Sequence, residues 1–440
     1  MRACAEGFRG ARCYRLRRAA ARNQRSPPVR RVSAPRAKGV LAPALLAAGL
    51  AAAAWRMPTV REPRFVVPPA MAADERVPMP AFFNASMLPR PTPSAHACSL
   101  AVAPDGALVV AWFGGEREGA GDVAILMLRL PDGAAGPAEG VAPWISLDRQ
   151  RLQTLTSRSI RKIGNPVLWY DGAGRLHMHV VSVSVGGWSG GAVNQLTSDD
   201  EGRTWSEARR LVVSPFLNLG TLVRTQPQVL EDGSIGLPAY HEFVQKWGLW
   251  LRVTDDGHVL AASPMRRRSG GWLQPAVAAI SPLEAVAALR ACDAPHRVGW
   301  SVTDDGGRSW PVPARGPTLE VPNPDSSVAM LRLQDGSLLM ACNPLESGRA
   351  RLQLFRSRDG GQSWSASRVI EAGVAADDEF SYPAIVQDRA GRIHLGYTWK
   401  RLGICLCTFS CDWLDAPDDG TPAVRVQSPT TTPAATETRP

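Results

Sequence analysis

The stretch SRDGGQSW places a hydroxyl (Ser357), a carboxylate (Asp359), two glycines and an indole (Trp364) within eight positions. Such side chains could do acid–base work or hold a sugar. They also satisfy a tight turn: Asp and Ser/Thr bond nearby backbone groups, Gly takes a positive φ, and Trp packs back over the turn. The template recurs at Ser198, Asp200, Gly202, Trp205 and at Thr303, Asp305, Gly307, Trp310, with a decayed copy in TDDGHVLA from Thr254 to Ala261. Recurrence favours scaffold over chemistry. His177 and His179, two apart on one strand face, could ligate a metal, but no third ligand accompanies them and none is assigned. The glycine-rich VGGWSGGAV, Val185 to Val193, lacks the Lys-Ser/Thr ending of a phosphate loop. Trp188 within it is a candidate platform for a sugar ring. The eight cysteines contain no C-x-x-C pair, so no zinc or dithiol centre is read from them, and any disulfide pairing stays open.

The elements that must position these residues are short strands. Trp310 and Trp364 are 54 residues apart and Trp205 and Trp310 about twice that, a period of the kind that marks a repeat architecture. Between the boxes run hairpin signals of another type: PDGALVVAW from Pro104, YDGAGRLHMHV from Tyr170, EDGSIGLPAY from Glu231, QDGSLLMAC from Gln334 and DRAGRIHLGY from Asp388. Only SPLEAVAALRA, Ser281 to Ala291, has helical spacing. Sheets of four strands at this period describe an all-β, six-bladed β-propeller.

The formal charge of +10 comes from one end of the chain. Residues 1–38 hold eleven Arg and Lys38 against Glu6 alone, and the remainder sums to −1, which argues against a nucleic-acid partner. The apolar run at residues 39–55 follows this basic segment as in an export signal or an uncleaved anchor, giving an exported protein with membrane attachment through 39–55 left open. The chain divides into this 1–55 segment, a Pro-rich linker at 56–93, the propeller at 94–415 and a disordered tail at 416–440.

Repeated S-x-D-x-G-x-x-W boxes resemble the Asp boxes of the sialidase (neuraminidase) superfamily. The resemblance covers residues 94 to about 400 and is closest in NPLESGRARLQLFRSRDGGQSW and EFSYPAIVQDRAGRIHLGY. It implies that Arg349, eight residues before the last box, belongs to an arginine triad gripping the substrate carboxylate, and that Tyr382 is the nucleophile. A neutral phenol suits an anomeric carbon that bears its own carboxylate, because an anionic nucleophile would be repelled. The planar fork of Arg matches that carboxylate. By the same resemblance His96 stands where the first triad arginine belongs, and the glycine-rich loop after WFGG offers Asp122 as acid/base, followed by Glu118 and Glu116.

The middle of the chain departs from the family. Gln226 precedes Pro227 where sialidases carry a Glu that serves as base to the Tyr, and Tyr240, His241 and Glu242 stand where the second triad arginine is expected. Arg224 could replace a lost charge, and Glu242 or Glu379 could act as base. Three functions follow: a sialidase-like hydrolase of an acidic glycan, needing no cofactor; a polysaccharide lyase using Arg349 or Arg224 with His96, His241 and Tyr240; and a non-catalytic carbohydrate-binding propeller.

Overall fold

The computed structural model describes residues 62–424, apart from 73–74, 77–78, 135, 215–217, 267–270, 376 and 418–419. The apolar run at 39–55 and most of the tail lie outside the described residues. No helix among the described residues is long and apolar enough to cross a membrane.

Strand β1 (Phe83–Met87) comes first in the chain but belongs to the last sheet. Blade one is β2 (Ser94–Val102), β3 (Leu108–Gly115), β4 (Ala124–Leu130) and β5 (Trp144–Asp148), after which a short helix, α1 (Arg149–Thr156), leads away. Blade two is β6 (Lys162–Tyr170), β7 (Leu176–Val183), β8 (Gly191–Ser198) and β9 (Arg209–Arg210). In blade three the inner position is shared by β10 (Thr221–Val223) and β11 (Gln228–Val229), both paired to β12 (Ile235–Glu242), with β13 (Lys246–Val253) and β14 (Val259–Met265) outside. Blade four has three strands, β15 (Trp272–Ala279), β16 (Ala285–Ala291) and β17 (Gly299–Thr303). Blade five is β18 (Ala329–Arg332), β19 (Leu338–Cys342), β20 (Arg351–Ser357) and β21 (Ser365–Ala372). Blade six is β22 (Phe380–Gln387), β23 (Ile393–Trp399) and β24 (Gly403–Phe409), with β1 as its outermost strand and helix α2 (Cys411–Asp415) following. The six sheets form the expected six-bladed propeller.

Both repeated sequence signals fall on one face of this wheel. The Asp-Gly hairpins join the first and second strands of their blades, and the boxes close the third strand. In the last box Ser357 Oγ donates to Asp359 (2.8 Å) and accepts from the Gly361 amide (2.8 Å), while Asp359 also accepts from the Ser363 amide (2.9 Å). The copies at Ser198 and Thr303 make the same bonds, and Thr254 keeps part of the set. Gly307 has φ +89°, and a Cβ there would lie 2.4 Å from the Trp250 indole nitrogen, so only glycine fits. The box tryptophans Trp205, Trp310 and Trp364 are buried between blades.

Each Asp of the Asp-Gly hairpins accepts from its own turn and is clasped by an arginine: Asp105 by Arg129, Asp171 by Arg175, Asp232 by Arg252, Asp335 by Arg356 and Asp388 by Arg392. His177 and His394 complete two of these clasps, at 2.9 Å from Asp171 and 3.1 Å from Asp388. His179 is buried and bonded to Gln195 (3.1 Å).

Three expectations are corrected. Ser281 to Ala291 is not helical; it forms a turn and then β16, whose alanines are buried on both faces and so lack the alternation of a half-exposed strand. The linker at 56–93 is partly built into the wheel: Phe65 is buried with its amide on Pro282 (2.8 Å), and β1 pairs along β24. The start of the tail also docks, since Ala423 and Val424 donate to Val369 and Ile370 on the outer strand of blade five (2.9 and 3.0 Å).

Candidate functional site

Alternation of direction sends the second-to-third strand loops, and the crossovers between blades, to the face opposite the hairpins. On that face four innermost strands share a distortion. Ala97 on β2, Asn165 on β6, Gln274 on β15 and Tyr382 on β22 have φ of 52°, 48°, 49° and 54°, each where the pairing register shifts. A left-handed non-glycine residue costs about 1–2 kcal/mol, and a bulge of this kind re-aims a side chain. Pro166, Pro275 and Pro383 follow three of them, where a residue without an amide proton breaks no ladder bond. These kinks surround the wheel's axis. Tyr382 is therefore held by strain in its own strand.

The phenol oxygen of Tyr382 accepts from Arg290 Nη1 (3.0 Å). Arg290 is fixed by Asp325, whose carboxylate accepts from Nε at 2.6 Å, and by Gln274 Oε1 at 3.2 Å. The Asp325 carbonyl accepts from Arg349 Nη2 (2.9 Å), and Arg349 Nη1 donates to Glu379 (3.0 Å). Glu379 takes Arg401 Nε on its other oxygen (2.7 Å), and Arg401 Nη1 reaches Glu118 (2.7 Å), which also accepts from the Trp188 indole (3.2 Å). One chain of bonds thus links residues of all six blades except the third. Tyr240 brings that blade in: its buried hydroxyl accepts from Asn165 and Gln274, each at 3.3 Å.

Beneath Tyr382 lie His96, its ring 4.2 Å away, and Arg224, whose guanidinium sits 5.3 Å from the phenol ring. Burial, joined by the charges of Arg401, Arg349 and Arg224 and opposed by Glu379, holds His96 well below its ordinary pKa, so this imidazole is neutral. Burial also works against ionisation of Glu379, but hydrogen bonds from Arg401 and Ser381 and the charge of Arg349 outweigh it and bring its pKa to about 2. For Asp325, burial is likewise outweighed by the bond from Arg290, and the pKa falls. Glu242 goes the other way: burial raises it, against the pull of Lys246 and Arg290.

The structure brings together Tyr382, Arg349, Glu379, Glu118, Trp188, His96, Arg224 and Tyr240 among the residues singled out from sequence. Several roles change. Asp122 is exposed and caps its own loop, accepting from the Glu116 amide (2.8 Å), so the loop acid that reaches the cluster is Glu118. Arg224 is buried with both Nη groups on the carbonyls of Cys98, Tyr382 and Pro383, which removes it from carboxylate binding and makes it a brace under Tyr382. Glu379 is unsuited as base because both oxygens are held by donors and its proton affinity is low. His96 is packed under the phenol and neutral, so it cannot replace an arginine. Trp188 is half-buried with its indole nitrogen on Glu118 and its ring over Gly164, a wall and not an open stacking platform. His241 stacks on Trp247 (4.2 Å) at the edge of the mouth. Gln226 lines the central channel with Arg224 and Pro383 and gives its amide to Leu100.

Sequence reasoning missed Arg290, Asp325 and Arg401. Arg290 was hidden in the stretch read as helical. A usable signal was the repeated X-Pro of the inner strands, Asn165-Pro166, Gln274-Pro275 and Tyr382-Pro383, which marks the residues turned toward the axis.

No group of three or more His, Cys, Asp or Glu side chains among the described residues could hold a metal ion.

A search of curated protein sequences found no match. Among solved structures, the Hadza microbial sialidase Hz136 is similar at a TM-score of 0.60 and 16% identity, over 73% of this chain and 66% of that one. The chain thus spans just under two thirds of that sialidase. The NanB sialidase from Streptococcus pneumoniae gives 0.57 and 9% over 74% and 70% of the two chains, and the intramolecular trans-sialidase from Ruminococcus gnavus 0.55 and 13% over 76% and 98%. At these identities the likeness is one of fold. The family model for the BNR repeat-like domain matches residues 106–395, two thirds of the sequence. The chain therefore belongs to the BNR repeat-like domain family, and its fold is that of the sialidase propellers.

Proposed function

We propose that this chain is a sialidase-like glycoside hydrolase acting on terminal sialic acid or a related acidic sugar, with Tyr382 as nucleophile. The observation that carries the reading is the phenol of Tyr382, turned toward the axis by a kinked strand, with Arg290 of blade four on its oxygen, Arg349 of blade five 5.6 Å from its ring, and Arg401 of blade six joined to Arg349 through Glu379. Only one of these arginines was matched by family spacing, so the cationic seat for a substrate carboxylate is fuller than sequence implied. As acid for the leaving oxygen we take Glu242, at the mouth end of β12 two residues beyond Tyr240 and so on the same strand face, with its carboxyl raised by burial. Export, read from the basic and apolar N-terminal sequence, accords with an extracellular glycan as substrate.

One observation favours a second reading, a carbohydrate-binding propeller without turnover: Glu379 already occupies Arg349 and Arg401. Turnover of a fluorogenic α-sialoside separates the two. Hydrolysis that falls by ~10³-fold or more in Tyr382→Phe, the scale of losing a nucleophile, supports the hydrolase. Binding without turnover in the unaltered chain supports the second reading, and hydrolysis surviving in Tyr382→Phe removes the phenol from the mechanism. A product with the absorbance of an unsaturated ring would identify a lyase instead.

A further inference from the structure

Blade four stops at three strands, and the sequence gives the reason. After the box at Trp310 the chain reads PVPARGPTLEVP, and its prolines Pro311, Pro313, Pro317 and Pro322 cannot donate to a ladder, whereas blades two and five place an outer strand after their boxes. The segment is bonded to β17 and its approach at two points: the Val302 amide donates to Pro311 (3.0 Å) and the Val298 amide to Val321 (2.9 Å). In an antiparallel strand, residues two apart turn their backbone groups to the same edge. The Trp300 amide and carbonyl therefore also face outward, and no bond to them across that edge is found among the described residues. Between its two anchors the segment arches over this gap and is tied to blade five by the Thr318 amide on Gln362 (3.2 Å).

Under the arch lies a cavity of about 360 Å³, walled by Val286, Trp300, Val302, Pro313 and Pro317, with Arg315 also lining it. The seam is looser here than at the other two full boxes. A Cβ on Gly202 would strike Met127 at 2.7 Å and one on Gly307 would strike Trp250 at 2.4 Å, so the neighbouring blade fills those turns; one on Gly361 would meet nothing nearer than Val286 at 3.5 Å. Trp300 lies beside Trp364 (5.5 Å between rings) much as Trp250 lies beside Trp310 (5.3 Å), yet it stands off the box glycine and leaves the space open. We propose that this cavity, beside the hairpin-face turn of blade five and away from the mouth, is a second ligand site that takes a planar aromatic carboxylate. Its volume falls within the roughly 300–1,000 Å³ of small-molecule pockets, and walls of indole, valine and proline suit an apolar ring. The ligand's charge follows from Arg315, which is exposed and makes no ion pair or side-chain hydrogen bond among the described residues, while the hairpin arginines of the same face are each clasped by an Asp. The Trp300 amide is a second donor left for the ligand. No residue of the mouth takes part, so the inference is independent of the hydrolase reading.

The test uses the full chain and two probes, 1-naphthoate and its neutral analogue 1-naphthylmethanol, titrated by calorimetry. Naphthoate is expected to bind once per chain and more tightly than the alcohol. Arg315→Gln should weaken naphthoate by up to about fivefold, the scale of an exposed ion pair, and erase its advantage over the alcohol. Thr318 and Gln362 line the cavity at exposed positions, so a large side chain can enter the space from either without displacing the core. Thr318→Trp and Gln362→Trp should each weaken both probes by ~10-fold or more, the cost of overfilling a packed space, with the urea midpoint unchanged. Arg349→Met is the control for the mouth and should leave naphthoate binding as it was. Binding lost in Arg349→Met and kept in both filled variants would put the probe among the mouth arginines and overturn the inference. Equal affinity for the two probes would overturn it as well, because Arg315 would then answer no anion, and so would the lack of saturable naphthoate binding.

Discussion

On the hairpin face of the wheel, blade after blade repeats the same few bonds: hydroxyl to Asp, Asp to turn amide, Asp to Arg. On the mouth face each blade contributes different side chains, and their order comes from contacts between blades, such as Arg401 joining Glu118 to Glu379. The hairpin contacts close within a single blade, from 2 to 24 residues apart in sequence, so a repeated sequence reproduces them. The mouth contacts close only when the ring does. A propeller can therefore keep one face constant for assembly and vary the other for chemistry.

That division can be broken or sharpened by substitution, beginning with the largest effect. Trp364 is buried, stacks near Trp300 (5.5 Å between rings) and donates to the Gly361 carbonyl (3.2 Å). Trp364→Ala should cost about 3–5 kcal/mol in urea unfolding while leaving hydrolysis per folded molecule unchanged. A fall in specific activity with stability intact would show that the two faces are coupled.

The seam between blades five and six belongs to neither face, and its prediction concerns pH. Burial pushes the Glu371 carboxyl up to about 7, only partly offset by the hydrogen bond from Tyr397 (2.7 Å). Between the unfolded-state value of about 4.3 and this one, the folded chain keeps a proton that the unfolded chain releases. Stability is thus highest at the acid end of that window, falls as pH rises through it, and levels off above about 7. The total is on the order of 3–4 kcal/mol at most, and Glu371→Gln should flatten the slope in melts run across this range.

Asp122 gives the smallest effect. Because its carboxylate caps the loop at Glu116, Asp122→Asn should leave kcat within about twofold, the scale of an exposed change remote from the reacting atoms. A loss as large as that of Tyr382→Phe would restore Asp122 as the acid and displace Glu242.

The comparison also explains what sequence could and could not tell. Box spacing and Asp-Gly turns gave the propeller and its six blades because turn chemistry is local. Two copies of one clasp, YDGAGRLH and QDRAGRIH, were visible too, and the second copy was the clue that His177 serves a hairpin and not a metal. Arg290 was not legible. AVAALRA is a strand buried on both faces, so it lacks period-two alternation, and its chance helical spacing pointed the wrong way. Arg401 was missed for another reason: it follows β23 in a turn and pairs across 283 residues with Glu118, a distance that no local pattern encodes. Tyr382 and Arg349 were found only through family spacing, and the left-handed kink that aims the phenol has no signal beyond the proline after it.

The strand at Phe83–Met87 has a consequence for how the wheel is made. It is the first strand among the described residues, yet its partner β24 is among the last, and the bond from the Phe82 amide to Ser410 spans 328 residues. Ring closure thus waits for nearly the whole polypeptide. A contact of such high order is entropically expensive to form and slows folding. Until it forms, the edge of β24 is open to pairing with another molecule, which makes this seam the point where proteases and strand exchange would attack first.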